Sequence, residues 1–201
     1  MDDRRLYLCP QSLFKIHVDT DDLLTGFVPR DTHALILLFE DNKTPVNEAF
    51  RRRIHGKFKT LGLNEDAYLR FLPRMENAGY LSVNSVADVM LDTPHWSGGR
   101  TSLSAFAAGL PVVTLPGEFS CGWQTCGMLR EMDVAELIAR DSEEYIMRAV
   151  AIASDRSLQG ALLARIAERA PGGIFTNERP VRSLEHFFRA VNGSSAESAI
   201  R

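Results

Sequence analysis

Short apolar runs and amphipathic stretches alternate along almost the whole chain. Arg5 to Cys9 reads as a short strand, and a brief helix follows near Asp21 to Phe27. His33 to Phe39 (HALILLF) is apolar without interruption, the pattern of a strand covered on both faces. Thr44-Pro45 then opens a helix, with Thr44 as N-cap and Pro45 at the first helical position. Val46, Phe50, Ile54, Phe58 and Leu61 recur at spacings of four and three, which gives that helix one apolar stripe. Tyr68 to Leu72 predicts the next strand and Met75 to Ala87 the next helix.

The stretch from Asp88 to Gly117 is the most informative. It reads as a strand (Val89 to Leu91), a turn (Ser97, Gly98, Gly99), a short helix from about Thr101 to Ala108, and a second strand (Val112 to Leu115). A helix N-terminus reached through such a turn carries unpaired N–H groups and a partial positive charge, which suits a phosphate or diphosphate. Taken alone, a Gly-Gly pair serves equally well in an ordinary tight turn. Beyond it, Phe119 to Met132 predicts a helix and Glu136 to Ala139 a short edge strand. Further helices begin at Ser142 and span Ser157 to Arg169. Pro171-Gly172-Gly173 breaks the second, and Pro180 to Val191 forms the last.

Strands separated by helices pair in parallel through right-handed crossovers. The expected fold is therefore α/β, a doubly wound, mostly parallel sheet of five or six strands. One Rossmann-like domain is expected over 1–192, helical from about 142, with a disordered polar tail over 193–201. Such sheets bind ligands outside the carboxyl ends of their strands. That edge gathers three loops into one predicted site: Pro10 to His17, Pro73 to Asn77, and Pro94 to Thr101.

Composition removes several alternatives. The 201 residues carry 23 Lys and Arg against 26 Asp and Glu, a formal charge of −3, without the basic excess of a nucleic-acid binder. Arg51-Arg52-Arg53 is the one basic run, and it reads as a solvated helix face. No apolar run approaches the roughly 18 residues of a membrane span, and MDDRRLYLCP has no signal-peptide core. Cys9, Cys121 and Cys126 match no paired motif, so reduced thiols in the cytoplasm are expected. The histidines (His17, His33, His55, His95, His186) are scattered, with no ligand-pair spacing, and predict no metal. Ser102 and Ser104 have no evident His–Asp partners and no GxSxG motif is present, which leaves hydrolase chemistry unsupported. His95 reads either as a donor contact or proton carrier or as a surface histidine, and Trp96 either as a sugar-pocket wall or as filling for the base of the loop.

Four segments in order carry a more specific signal: YLCPQSLFKIH (Tyr7 to His17), RFLPRM (Arg70 to Met75), ADVMLDTPHWSGG (Ala87 to Gly99) and GLPVVTLPGEF (Gly109 to Phe119). Together with LIARDSEEYIMRAVAIASD (Leu137 to Asp155) they are similar to bacterial O-linked N-acetylglucosamine transferases of the SPINDLY type, over nearly the whole chain. The resemblance implies the C-terminal, donor-binding half of a GT-B glycosyltransferase. It implies UDP-N-acetylglucosamine as donor substrate, Ser or Thr of an acceptor protein as acceptor, and no metal or other cofactor. As partners it implies an acceptor-side half and a tetratricopeptide region, with no nucleic acid and no membrane.

Within the resemblance, Lys15 matches the catalytic lysine beside the donor diphosphate, where a compact cation stabilises the departing UDP. Gln11 and Ser12 contact phosphate or sugar, or else cap the turn. Thr101 and the N–H groups of Gly98, Gly99 and Arg100 cradle the diphosphate, and Pro73-Arg74-Met75 lies along the uracil. Three positions depart from the pattern. Arg100 replaces Asn or Thr, where it either clamps phosphate or crowds the loop. Ser104 replaces an acidic residue that contacts ribose, and Trp123 replaces an arginine. These departures keep a non-catalytic interaction module open beside the transferase reading. A sugar-nucleotide epimerase is a weaker third, because no acidic pair is placed to act on a sugar.

Overall fold

The computed structural model describes residues 3–198, with side chains through Asn192. Five strands form one parallel sheet: β1 (Arg5–Cys9), β2 (Ala34–Phe39), β3 (Leu69–Leu72), β4 (Val89–Leu91) and β5 (Val112–Val113). Their spatial order is β3-β2-β1-β4-β5. The register pairs Tyr7 with Ile36 on one side and with Val89 on the other. The order reverses between β1 and β4, so the chain's own topology opens a crevice at the carboxyl ends of those two strands.

The helices are α1 (Asp19–Gly26), α2 (Thr44–Thr60), α3 (Glu65–Tyr68), α4 (Asn77–Val86), α5 (Arg100–Ala107), α6 (Gln124–Glu131), α7 (Ser142–Ser154), α8 (Arg156–Ala170) and α9 (Arg179–Ser198). Right-handed crossovers place α1 and α2 on one face and α4 and α5 on the other. The stripe on α2 buries Phe50, Ile54 and Phe58 against the sheet. In the strands Tyr7, Leu8, Ile36, Leu38 and Val89 are wholly buried, as continuous apolar runs require when both faces are covered. Tyr7 donates to Asp31 Oδ2 at 2.6 Å, and Arg5 closes the same carboxylate at 2.5 Å.

Several boundaries differ from those expected. Lys43, in extended backbone, is the N-cap of α2; Thr44 and Pro45 lie inside its first turn. The helix expected from Phe119 begins as a 3-10 turn (Ser120–Gly122) and becomes α-helical only at Gln124. The expected edge strand is a 3-10 turn (Ala135–Leu137) followed by a single parallel bridge, Thr114 to Ile138. Pro111 and Pro116 leave β5 too short to support a longer partner. Pro171-Gly172-Gly173 continues from α8 as a π-helical turn (Pro171–Phe175) and does not break it at once. The last helix runs to Ser198, into the stretch expected as tail; the tail's residues 199–201 lie outside the described residues.

Candidate functional site

Two loops flank the crevice, and each is built on a carboxylate. The loop after β4 turns around Asp92, which is 2 % exposed. Asp92 accepts hydrogen bonds from Ser97 Oγ (2.7 Å), the Gly98 amide (2.6 Å) and Thr114 Oγ1 (2.7 Å). Thr125 Oγ1, arriving on α6, lies 2.9 Å from Ser97 Oγ and 2.7 Å from Ser102 Oγ, and donates to the Gly98 carbonyl at 3.1 Å. Tyr145, from α7, donates to the Asp92 carbonyl at 2.8 Å. Burial pushes the Asp92 carboxyl above its ordinary value, against the pull of the donors around it.

This knot fixes the backbone of the Gly-rich turn and also consumes part of it. The Gly98 amide is committed to Asp92, so it is not available to cradle a diphosphate, contrary to the sequence expectation. The amides at the start of α5 have no partner within the helix and keep that capacity. The turn is backed by the loop after β5, where Gly117 and Gly122 press on the Pro94 carbonyl. A Cβ at either position would lie 2.4 or 2.3 Å from that oxygen, so only glycine fits. Trp123, at the position expected to hold arginine, donates from Nε1 to the Gly117 carbonyl at 2.6 Å.

The loop after β1 is held from outside. Arg53, on α2, grips Asp21 with two bonds (2.8 and 3.0 Å) and donates to the Ile16 carbonyl at 2.9 Å. Asp21 is buried, which raises its carboxyl pKa, while Arg53 pulls it back down. The basic run is therefore not simply a solvated face. Arg51 pairs with Glu40 at 2.8 Å and stacks on Phe71 at 3.8 Å, because the apolar stripe of α2 rotates both arginines toward neighbouring elements. Clamped in this way, the 3-10 turn Leu13–Lys15 presents Lys15 with its Nζ 4.5 Å from the centre of the Trp96 ring. Gln11 ties the two loops together by donating to the Trp96 carbonyl at 2.8 Å, and its Oε1 accepts from the Ser12 amide at 3.0 Å. That is the turn-bracing role. His95 binds Asp19 Oδ2 at 2.9 Å and packs its ring 4.2 Å from His17.

Between the loops lies an open cavity of about 280 Å³. Seven of the residues given a role from the sequence line it together: Gln11, Ser12, Arg74, Met75, Arg100, Thr101 and Ser104. Lys15, His95, Gly98 and Gly99 are not among its lining residues and sit beside it on the flanking loops. Sequence reasoning missed Phe39, Glu40 and Asp41, at the carboxyl end of β2, and Tyr80 on α4. The Glu-Asp pair directly after HALILLF was a usable signal, since it marks a fourth loop at the same sheet edge. Tyr80 has its phenol pKa raised by burial, and the Arg100 charge opposes that shift. The cavity thus sets arginines and carboxylates around an uncapped helix N-terminus, a combination suited to an anionic, hydroxyl-rich ligand.

The model of glycosyl transferase family 41 matches residues 51–181, well over half of the chain. The chain belongs to that family. Curated relatives of this family 41 domain include a probable UDP-N-acetylglucosamine–peptide N-acetylglucosaminyltransferase SPINDLY of Solanum lycopersicum. It is 26 % identical over 151 residues, which are 72 % of this chain and 16 % of the relative. A Caenorhabditis elegans UDP-N-acetylglucosamine–peptide N-acetylglucosaminyltransferase is 32 % identical over 81 residues, 40 % of this chain and 7 % of that one. Among solved structures, a mutant O-GlcNAc transferase of Thermobaculum terrenum superposes with a TM-score of 0.84 at 25 % identity. The match covers 98 % of this domain and 38 % of that chain. S. aureus TarM shares the fold, with a TM-score of 0.67 at 9 % identity over 94 % of this domain and 36 % of that chain. The family 41 domain therefore has the Rossmann-like architecture of a GT-B half, and it spans about a sixth of the SPINDLY relative's length. Among the described residues, no helix is long and apolar enough to cross a membrane.

Proposed function

We propose that this domain binds the nucleotide-sugar donor of a protein glycosyltransferase, with UDP-N-acetylglucosamine as donor and a Ser or Thr hydroxyl as acceptor. One observation carries the reading: the cavity at the sheet's switch point joins the uncapped α5 terminus to Arg74 and Arg100, with Lys15 beside it. In this reading the diphosphate lies against α5 and Lys15, and the nucleoside lies toward Arg74 and the Glu40–Asp41 loop. The acceptor oxygen bonds to the sugar's anomeric carbon as the bond to the diphosphate breaks. Lys15 and the α5 amides stabilise the negative charge that builds on the leaving UDP. No metal or other cofactor is assigned to this step. The opposing wall of the cleft and the acceptor contacts come from protein outside residues 1–201, as further chain or as a partner. We assign the reaction to the cytoplasm, a reading supported by the free thiols of Cys9, Cys121 and Cys126.

A second reading, a protein-interaction module that kept the fold, is favoured by Ser104 in the cavity wall and by the fastening role of Trp123. Calorimetric titration with UDP, then UDP-N-acetylglucosamine, separates the two. The donor reading expects binding that Lys15→Ala weakens at least about tenfold, roughly 1.4 kcal/mol. Absence of binding, even with the opposing half of a family 41 enzyme supplied, would overturn it in favour of the module.

A further inference from the structure

His17, Asp19 and His95 come from two different loops, yet their side chains meet at a single carboxylate oxygen. His17 follows the Lys15 turn, Asp19 is the first residue of α1, and His95 precedes the Gly-rich turn. Asp19 Oδ2 lies 3.3 Å from His17 Nδ1 and 2.9 Å from His95 Nε2. The three ligand atoms all fall within 4.8 Å of one another, and the imidazole rings are 4.2 Å apart. Tetrahedral zinc with bonds of about 2.0–2.1 Å places its ligand atoms about 3.3 Å apart. Two of the three spacings already lie near that value.

The hydrogen bonding makes the arrangement more than an ordinary ion pair. The Asp19 amide donates to His17 Nδ1 at 3.3 Å, so that nitrogen presents a lone pair. Asp19 Oδ2 lies 3.3 Å from the same nitrogen, so a ring nitrogen and a carboxylate oxygen converge on one point between the loops. A cation at that point replaces a long and weak hydrogen bond with a coordinate bond to the same nitrogen. Two neutral imidazoles and a carboxylate suit zinc, cobalt(II) or nickel(II), whereas magnesium and calcium prefer all-oxygen shells.

We propose that His17, Asp19 and His95 form a three-ligand site for a late first-row divalent ion, zinc above all, with water completing the shell. The site is a clip. It fastens the loop that carries Lys15 to the loop that carries Gly98 and Gly99, on the rim of the cavity and outside its lining. It takes no part in bond breaking, and it stands whether or not the domain binds UDP. It also revises the expectation of no metal, since the fold brings together His17 and His95 from distant parts of the chain.

The test uses the untagged, chelator-stripped chain, titrated with Zn²⁺ by calorimetry and with Co²⁺ by visible absorption. The proposal expects one equivalent bound, a rise in Tm, and at least tenfold weaker binding in His17→Ala and in His95→Ala. His55→Ala should bind as the parent does. Cys121 donates from Sγ to the His95 carbonyl at 3.3 Å, so Cys121→Ser is the critical control and should also leave affinity unchanged. Loss of binding in Cys121→Ser, or a cobalt–thiolate charge-transfer band, would overturn the ligand set. No binding at millimolar zinc, or binding unaffected by both histidine variants, would overturn the site itself. All three ligands are exposed, and far-UV circular dichroism of each variant confirms that a lost signal is not lost folding.

Discussion

The loops after β4 and after β1 face each other across the crevice, and both are organised by an aspartate, but the two aspartates are satisfied in opposite ways. Asp92 is enclosed and held by neutral donors from its own loop and from Thr114, just past β5. Asp21 is buried from one side and held by a guanidinium that is itself 34 % exposed. The first arrangement makes the Gly-rich turn part of the core. The second leaves the Lys15 turn, seated by Leu13 and Ile16, with Arg53 as the polar clamp at its edge. Two loops that serve one cavity should therefore fail differently, one by unfolding and the other by loosening.

Asp92→Ala gives the sharpest contrast. It strands the Gly98 amide and two hydroxyls in the interior, and a loss of about 3–5 kcal/mol is expected in urea unfolding. Arg53→Ala should cost less, about 2–3 kcal/mol, because water reaches the released Asp21 carboxylate more easily. It should also weaken UDP binding, since the Ile16 carbonyl loses its anchor, while Asp92→Asn should leave most of that binding in place. Lys15→Ala should leave stability within about 0.5 kcal/mol of the parent and still cost the tenfold in UDP affinity given above. Trp96→Ala removes a partly exposed cation–π contact of about 0.5–1 kcal/mol and should weaken UDP binding about two- to fivefold.

Acid titration sharpens the comparison further. The Asp92 pKa is raised on folding, so just above the ordinary carboxylate range the native state keeps a proton that the unfolded chain has lost. Its contribution to stability therefore falls as pH rises through that window, and Asp92→Asn should flatten the slope. Glu144 behaves oppositely. Arg140 and Arg148 hold it down to about 2 from 4.5, so its contribution is present above pH 4.5 and is lost as pH falls toward 2. The difference between parent and Glu144→Gln should shrink over that interval. A parent–variant difference that grows on acidification would contradict the assignment.

The sheet was legible because its strands are uninterrupted apolar runs and its helices carry stripes of fixed period. Three of the four loops that line the cavity could be placed for the same reason, since topology alone puts strand ends together. The Asp92 knot and the Arg53 clamp were not legible. Each joins residues separated by many positions, and such pairings leave no period in the sequence. Arg53 in particular looked like part of a charge run, and only the rotation of α2 shows that it faces inward while Arg52 stays exposed. The expected strand at Glu136 to Ala139 failed for a different reason: prolines limit its neighbour, and a two-residue strand supports only a bridge.

The Asp92 knot has a consequence for engineering. Its side-chain contacts use positions 92, 97, 102, 114, 125 and 145, together with the backbone of position 98, and none uses the side chains of Arg100 or Ser104. Scaffold and lining are thus encoded by separate residues on the same short segment. A library randomised at 100 and 104 should express as folded protein nearly throughout, while one randomised at 97 and 125 should collapse. If the cavity holds the donor as proposed, positions 100 and 104 are thus the ones to vary for ligand preference, with the loop geometry inherited intact.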